Sequence, residues 1–376
     1  MPALSLDFQG AFIHDKQILD GVLIANKCVD SRLKSKKPGI LCKIDMEKAF
    51  DIVNWNFLFI ILQRHDFGEK WISWIRWCVT SSHLSILVNG SSTEKFKPTK
   101  GLREGDSLSP YLFLLVVEIL SKLLNDAVER GQLSGFQVVE NGSIISHLQL
   151  TYDTLVFIDA SAEEVRRLLI ILEVFETLTG LKLNFDKSTM ISVGADEVTD
   201  ILARELGCKT EKLSFTYLRM PIGSHWRNVS VWEHVLVRIE QRLATWKKIK
   251  LNKAGRLVFI KSGLASLPIY YLSLFHLPVS VEKKMVRIMR NFFWGYVEGR
   301  RKMVWVGWLK ICKPEESRGL GVKNLRNKNR SMPIKWIWRF ERNRNCLWRR
   351  IVNQKFKRNN DVLVPDVDSQ PQCRSF

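Results

Sequence analysis

The sequence contains no CxxC pair and no Cys/His cluster; its seven cysteines, at positions 28, 42, 78, 208, 312, 346 and 373, are scattered and odd in number. That excludes a disulfide framework and a zinc site. It fits a reducing compartment, cytoplasm or nucleus, rather than secretion. A signal peptide is also missing, because Met1–Gly10 has neither a basic start nor an apolar centre. The longest apolar runs, Tyr111–Leu120 and Pro268–Leu277, are too short to span a bilayer, so no membrane is expected as a partner. In such a protein the Asn-x-Ser sequons at Asn89, Asn141 and Asn228 are chance matches. Internal repeats and low-complexity tracts are absent as well.

What is present is a chain of 376 residues, 46% apolar, which can bury a sizeable core in two or three subdomains. Its 58 Lys and Arg against 38 Asp and Glu leave a net charge of +20. That charge is unevenly placed: residues 1–200 sum to −5 and residues 201–376 to +25. A whole half with this excess is the electrostatic footprint of a polyanion binder. Nine of the 13 tryptophans, among them 294, 305, 308, 336, 338 and 348, fall in the basic half, where aromatics among cations suit base stacking and also suit an ordinary core.

Periodicity predicts a helix over Gln17–Asp30, a basic linker over Ser31–Pro38, a strand over Gly39–Met46 and a helix from Glu47 to about His65. A hairpin is predicted from Leu84–Val88 through Asn89-Gly90 to Glu94–Pro98. The Gly-bracketed loop Lys100–Ser107 leads into an apolar helix over 108–130. Two short strands, Ile144–Leu150 and Leu155–Ile158, flank Thr151–Thr154, followed by a helix at Ala162–Thr179 and a strand at Thr189–Val193. The order predicts an α+β domain with a mostly antiparallel sheet. After a boundary near 210–225 the chain reads as basic helices, at Trp232–Lys248, Lys253–Ser266 and Val281–Trp294, and Asn359–Phe376 reads as a frayed tail.

Two acids stand out. Asp45 closes a predicted strand in Leu-Cys-Lys-Ile-Asp-Met-Glu-Lys-Ala-Phe-Asp (41–51), and Asp153 lies between two short apolar strands in Leu-Gln-Leu-Thr-Tyr-Asp-Thr-Leu-Val-Phe (148–157). A hairpin turn opposite a strand end can bring distant carboxylates together, as nucleotidyl transfer on two divalent cations requires. Hard oxygen donors of this kind suit Mg²⁺. Taken singly, each aspartate is as well explained as a strand-end cap or turn residue.

Several ordered segments carry a resemblance: Gln-Gly-Ala-Phe-Ile (9–13) with the stretch 17–26, Lys-Ile-Asp-Met-Glu-Lys-Ala-Phe-Asp (43–51), Leu-Val-Asn-Gly (87–90), Lys-Gly-Leu-Arg-Glu-Gly-Asp-Ser-Leu-Ser-Pro (100–110), Gly-Leu-Lys-Leu-Asn-Phe-Asp-Lys-Ser (180–188) and Phe-Thr-Tyr-Leu-Arg-Met-Pro-Ile-Gly (215–223). Over roughly residues 9–350 the chain resembles the reverse transcriptases of non-LTR (LINE-type) retrotransposons of the plant type. The resemblance implies a partial fingers segment at 1–38, a palm with inserted fingers elements at 39–214, a basic helical thumb and C-terminal region at 215–358, and a disordered tail at 359–376. It implies catalytic, metal-binding roles for Asp45 and Asp153. Phe50 becomes the side chain that excludes a ribose 2′-hydroxyl, though helix packing explains it equally. Arg103 and the backbone at Gly105 border the incoming triphosphate, Lys187 lies near it, and Tyr217, Leu218 and Arg219 form the primer grip. The implied cofactor is a pair of Mg²⁺ ions, and the implied partners are an RNA template and DNA primer, or their hybrid, with deoxynucleoside triphosphates.

The sequence departs from the family in its chemistry. Two adjacent aspartates follow an aromatic and a small residue in the family's catalytic turn, whereas here the tetrad reads Leu-Thr-Tyr-Asp (150–153). Tyr152 therefore replaces a direct metal ligand, and a neutral phenol is a poor donor to Mg²⁺. Glu104 places a carboxylate where the family has an amide, and Arg219 stands where it usually has glycine. With the fingers starting just after Met1 and no nuclease domains in the sequence, the expectation is a truncated, degenerate copy. Three readings stand: a polymerase fold that has lost its chemistry, a non-enzymatic basic binder of RNA or DNA, and a maturase-like protein. A pseudogene product without a role is the plain alternative to all three.

Overall fold

A computed structural model describes residues 7–225, 228–247, 251–295 and 303–356. The tail and Lys248–Lys250 of the predicted thumb lie outside them. The chain divides into two compact units, one of residues 1–223 with 345–359, the other of residues 224–344 with 360–376.

In chain order the first unit contains α1 (Ile18–Ser35), β1 (Gly39–Ile44), β2 (Met46–Glu47), α2 (Trp55–Arg64), α3 (Glu69–Thr80), β3 (Leu87–Val88), β4 (Ser91–Ser92), α4 (Ser109–Glu129), β5 (Phe136–Gln137), β6 (Ile144–Ile145), β7 (His147–Leu150), β8 (Asp153–Asp159), α5 (Ala162–Thr179), β9 (Lys182–Leu183), β10 (Thr189–Val193), α6 (Asp196–Leu206), β11 (Lys209–Glu211), β12 (Phe215–Tyr217) and β13 (Met220–Ile222). The main sheet runs β11-β10-β1-β8-β7, with every pairing antiparallel except β10 with β11. The α+β class with a mostly antiparallel sheet is therefore present.

β1 is apolar at nearly every position because both of its faces are covered. Ile40, Cys42 and Ile44 join Val156, Ile158 and Met190 in a core with Leu58 and Leu62 of α2, Phe113 and Val117 of α4, and Leu168 and Phe175 of α5. On the opposite face Leu41, Phe157 and Ile191 are fully buried, and α1 crosses there beside β7 and β10. Each fully buried Leu, Ile or Phe contributes about 2 kcal/mol through burial.

The structure corrects three boundaries. The helix predicted from Glu47 begins at Trp55, where the Asn54 side chain accepts hydrogen bonds from Asn56 N and Phe57 N. The stretch before it is occupied elsewhere: Met46–Glu47 pairs with β9, while the carbonyls of Phe50 and Val53 accept from Leu102 N and Gly101 N. The fingers hairpin pairs Leu87 with Ser92, its register set by Asn89 and Gly90 at positive φ, and leaves only a bridge at Leu84–Phe96. The Ser31–Pro38 linker is mostly helix, since α1 runs on to Ser35.

The regular structure of the second unit, among its described residues, is all helical, with α7 (Glu233–Lys247), α8 (Lys253–Phe259), a π turn at Ile260–Leu264, α9 (Ile269–Leu272), α10 (Val279–Trp294), α11 (Trp308–Ile311) and α12 (Leu325–Arg342). The chain then returns to the first unit as α13 (Leu347–Lys355). The sequence reading had placed this helix in the basic region. Its apolar side, Leu347, Trp348, Ile351 and Val352, is buried, and polar contacts add to it: Lys355 bonds Asp30, Gln354 accepts from Ser143 N at 3.0 Å, and Arg350 pairs with Asp7. No helix among the described residues is long and apolar enough to cross a membrane.

One core group is poorly solvated. His147 is fully buried, shares a hydrogen bond of 2.8 Å with Ser146 Oγ and packs against Phe8, and its Nε2 has no partner. Burial pushes its pKa from 6.5 down to about 3. An unfolded chain takes up a proton near pH 6.5 that the folded chain refuses until about pH 3. Stability is therefore full above pH 6.5 and falls below it by about 1 kcal/mol per pH unit. Urea midpoints at pH 7.5 and about pH 5.5 should differ accordingly, and His147→Phe should narrow the gap. An unchanged gap in the variant would remove His147 from the account.

Candidate active site

The antiparallel register places Ile44 opposite Thr154 and Leu150 opposite Asp153, so Asp45 and Asp153 are the next facing pair beyond the end of β1. Both are half-buried. The Asp153 carboxyl is pushed above its usual range, first by burial; Lys43 opposes that shift and the neighbouring Asp45 charge adds to it. The two acids expected to converge are thus close enough to repel.

Hydrogen bonds hold each member of the pair from behind. Asp45 N donates to Ser188 Oγ at 3.1 Å, and Asn184 N donates to Asp45 O at 2.9 Å. Lys187 rides on this same Asn184–Ser188 loop, with its side chain exposed. On the other side, Gln9 runs parallel to Gln149 in a one-residue bridge. Gln9 Nε2 donates to Gln149 Oε1 at 3.3 Å, Ser121 Oγ donates to the same oxygen at 2.9 Å, and Thr151 N donates to Gln9 Oε1 at 3.4 Å. All three of Gln9, Gln149 and Ser121 are almost completely buried. This network was not identified from sequence; its signal was an amide, Gln149, in a strand position that should be apolar.

The turn itself is Thr151-Tyr152. Thr151 has φ +54°, costly for a β-branched residue, and Tyr152 projects outward, 44% exposed. Phe50, five residues after Asp45, is half-buried and stacks on Phe113 with centroids 4.6 Å apart. The loop 101–103 is docked against it through Leu102 N to Phe50 O at 2.7 Å. Gly101 is required at this contact, because a Cβ there would lie 2.4 Å from Asp51 O. Arg103 donates to Ser82 Oγ at 2.7 Å, while Glu104 and Gly105 are exposed. In the β12–β13 hairpin Tyr217 is buried, Leu218 half-buried and Arg219 exposed. Tyr217 and Leu218 line a cleft with Gln9, Gly10, Leu148 and Leu150, which brings the hairpin beside the strand end that leads into the Thr151-Tyr152 turn.

Family comparison decides what this arrangement is. The family model described as "Reverse transcriptase (RNA-dependent DNA polymerase)" matches residues 4–222. The chain belongs to the reverse transcriptase family. It is 30% identical over 182 residues to the Pol polyprotein of the R2 retrotransposable element of Popillia japonica, covering 47% of this chain and 25% of that protein. Over 338 residues it is 22% identical to the 149 kDa protein of transposon TX1 of Xenopus laevis, 88% of this chain and 25% of that protein. These relatives are non-LTR retrotransposon proteins, and this reverse transcriptase spans about a quarter of their length. Telomerase from Candida albicans aligns with a TM-score of 0.44 at 12% identity, over 75% of this chain and 51% of that one.

Reverse transcriptases work with divalent metals. The donor set here does not fit the two-ion centre: among the described residues no group of three His, Cys, Asp or Glu could hold an ion. Asp45 and Asp153 supply two carboxylates, and the third position of the turn is an exposed phenol.

The turn between β12 and β13 carries its own strain. Leu218 and Arg219 both have positive φ, +50° and +62°, where a side chain costs about 1 kcal/mol that glycine avoids. Arg219→Gly should therefore stabilise the protein by about 1 kcal/mol, read as a raised denaturant midpoint at unchanged slope. A lowered midpoint would show that the arginine side chain contributes more than its backbone strain costs.

Proposed function

We propose that this reverse transcriptase keeps the palm and its nucleic-acid-binding surface but has lost two-metal nucleotidyl transfer. The observation that carries this is Tyr152, which stands at the turn beside the Asp45–Asp153 pair where a third carboxylate belongs. Mg²⁺ is the cation the remaining oxygens would prefer, and two facing carboxylates hold it weakly. Glu104 adds a negative charge to the loop that would border a deoxynucleoside triphosphate, opposing the ligand that loop would receive. Phe50, Arg103, Gly105 and Lys187 retain the side chains and backbone suited to that ligand. Residues 1–38 and 39–214 take the parts of fingers and palm, the helical unit at 224–344 that of a thumb region, and Tyr217–Arg219 that of the primer grip.

What remains is binding. Residues 224–344 hold 27 Lys and Arg against 7 Asp and Glu, which is +20, so the rest of the chain sums to zero. A surface of that charge takes an RNA template, a DNA primer or their hybrid through phosphates, in an intracellular compartment rich in nucleic acid.

Primer extension on an RNA template with Mg²⁺ tests the loss of chemistry. Tyr152→Asp should raise the rate on the order of a hundredfold, the scale on which one preorganised electrostatic group acts. Equal rates with and without the substitution would defeat the proposal. Binding of an RNA–DNA hybrid should weaken by orders of magnitude between about 50 and 200 mM salt if it rests on several phosphate contacts. Binding indifferent to salt would exclude the basic surface as its source.

A further inference from the structure

Helix α12 uses one face to hold the second unit together and leaves the other unexplained. On its inner face Leu325, Arg339 and Phe340 are buried. Asn329 Nδ2 donates to the carbonyls of Leu272 and Phe275, each at 2.9 Å, and its Oδ1 accepts from Leu277 N at 3.0 Å. Trp336 Nε1 donates to Ser273 O at 2.9 Å. The helix is therefore fixed in rotation, and its outer face is fixed with it.

That outer face carries Arg330, Ile334, Lys335, Trp338, Glu341 and Arg342, all exposed and spaced at three and four residues. Ile334 is 64% and Trp338 57% exposed. One residue separates Trp336 from Trp338, yet the fold engages the first and leaves the second to solvent. The Arg342 guanidinium lies 5.1 Å from the Trp338 ring centroid. Among the described residues neither Arg330 nor Lys335 forms an ion pair, and Glu341 is the one acid on this face against three cations.

We infer that the outer face of α12 is a binding platform for single-stranded nucleic acid, with Trp338 stacking on a base and Arg330, Lys335 and Arg342 holding phosphates. It rests on the reading that the basic unit binds nucleic acid, and names where and how. Charge argues for a polyanion rather than a protein, since the whole net charge of the chain resides in residues 224–344. The flat, solvated indole argues for a single strand, because duplex bases are already stacked on one another while unpaired bases gain from an aromatic surface. An arginine beside the ring extends the stacking surface and adds a cation to it. From Arg330 to Arg342 the helix runs about 18 Å, enough to meet several phosphates. The chemistry does not distinguish RNA from single-stranded DNA.

The test is equilibrium binding of the full chain to 20-nucleotide oligo(U) and oligo(dT), with a 20-base-pair DNA duplex as the contrasting probe. Trp338→Ala should weaken both single strands about tenfold and leave duplex binding and the salt slope unchanged. Trp338→Phe should recover most of the loss. Arg330→Ala and Arg342→Ala should each lower the salt slope by about one unit or slightly less. Trp338 is exposed, so a thermal melt of each variant should match that of the parent, which separates lost contact from lost fold. If the chain binds oligo(U) and Trp338→Ala binds equally well, the platform is refuted while the basic reading survives. If no probe binds at low salt, both fall. Concentration-dependent self-association abolished by Trp338→Ala would also overturn the platform, by assigning the face to a second copy.

Discussion

The pairing of β1 with strands on both sides is the constraint from which the rest of the first unit follows. Gly39 lies opposite Val193 on one side and Asp159 on the other, and five further residues continue the β8 register to Ile44. A slip of one residue would turn every apolar side chain of β1 to the wrong face, and would also part Asp45 from Asp153. Core packing thus enforces the position of the acid pair. The Asn184–Ser188 loop and the Gln9–Gln149 bridge then secure the ends of the two strands that bear it.

Folding and chemistry draw on different side chains here. Tyr152, Glu104 and Arg219 are all exposed, so none removes a buried contact, and the core that defines the family fold is untouched by them. The palm fold can consequently stay recognisable while exposed residues around its acid pair vary. The buried polar network behind the turn tells the same story from within: it fixes the geometry of a site whose ligand set is incomplete.

Much of the first unit was legible in the sequence, because long periodic or alternating stretches such as 109–129, 162–179 and 189–193 specify their own structure. Short segments were less so. The region 46–54 reads as helix by composition, but its carbonyls are claimed by Gly101 and Leu102 and its first residues by β9, contacts made far along the chain. The aspartate pair could be read from motif context; its support by Gln9, Ser121 and Ser188 could not, since a lone amide such as Gln149 in an apolar strand signals a buried partner without saying which residue supplies it. The place of helix α13 was hidden for a related reason: its basic composition resembles that of the preceding helices, while the surface that buries Leu347, Trp348 and Ile351 and the partners Asp7, Asp30 and Ser143 lie hundreds of residues earlier.

That return of α13 makes the basic unit an insertion. The chain leaves the first unit after Gly223 and re-enters at Asn345, so the helical unit is tethered at two points. A single proteolytic nick within residues 224–344 would leave both fragments attached to the first unit. A stop codon anywhere in that stretch would do more harm than the loss of basic helices, because it would strip α13 from its site, expose the apolar surface that Leu347, Trp348 and Ile351 pack against, and remove Arg350 from Asp7. Conversely, the two tether points allow the insertion to be replaced by a short linker while α13 is kept, since lengthening or shortening a closed loop changes its entropy only slowly.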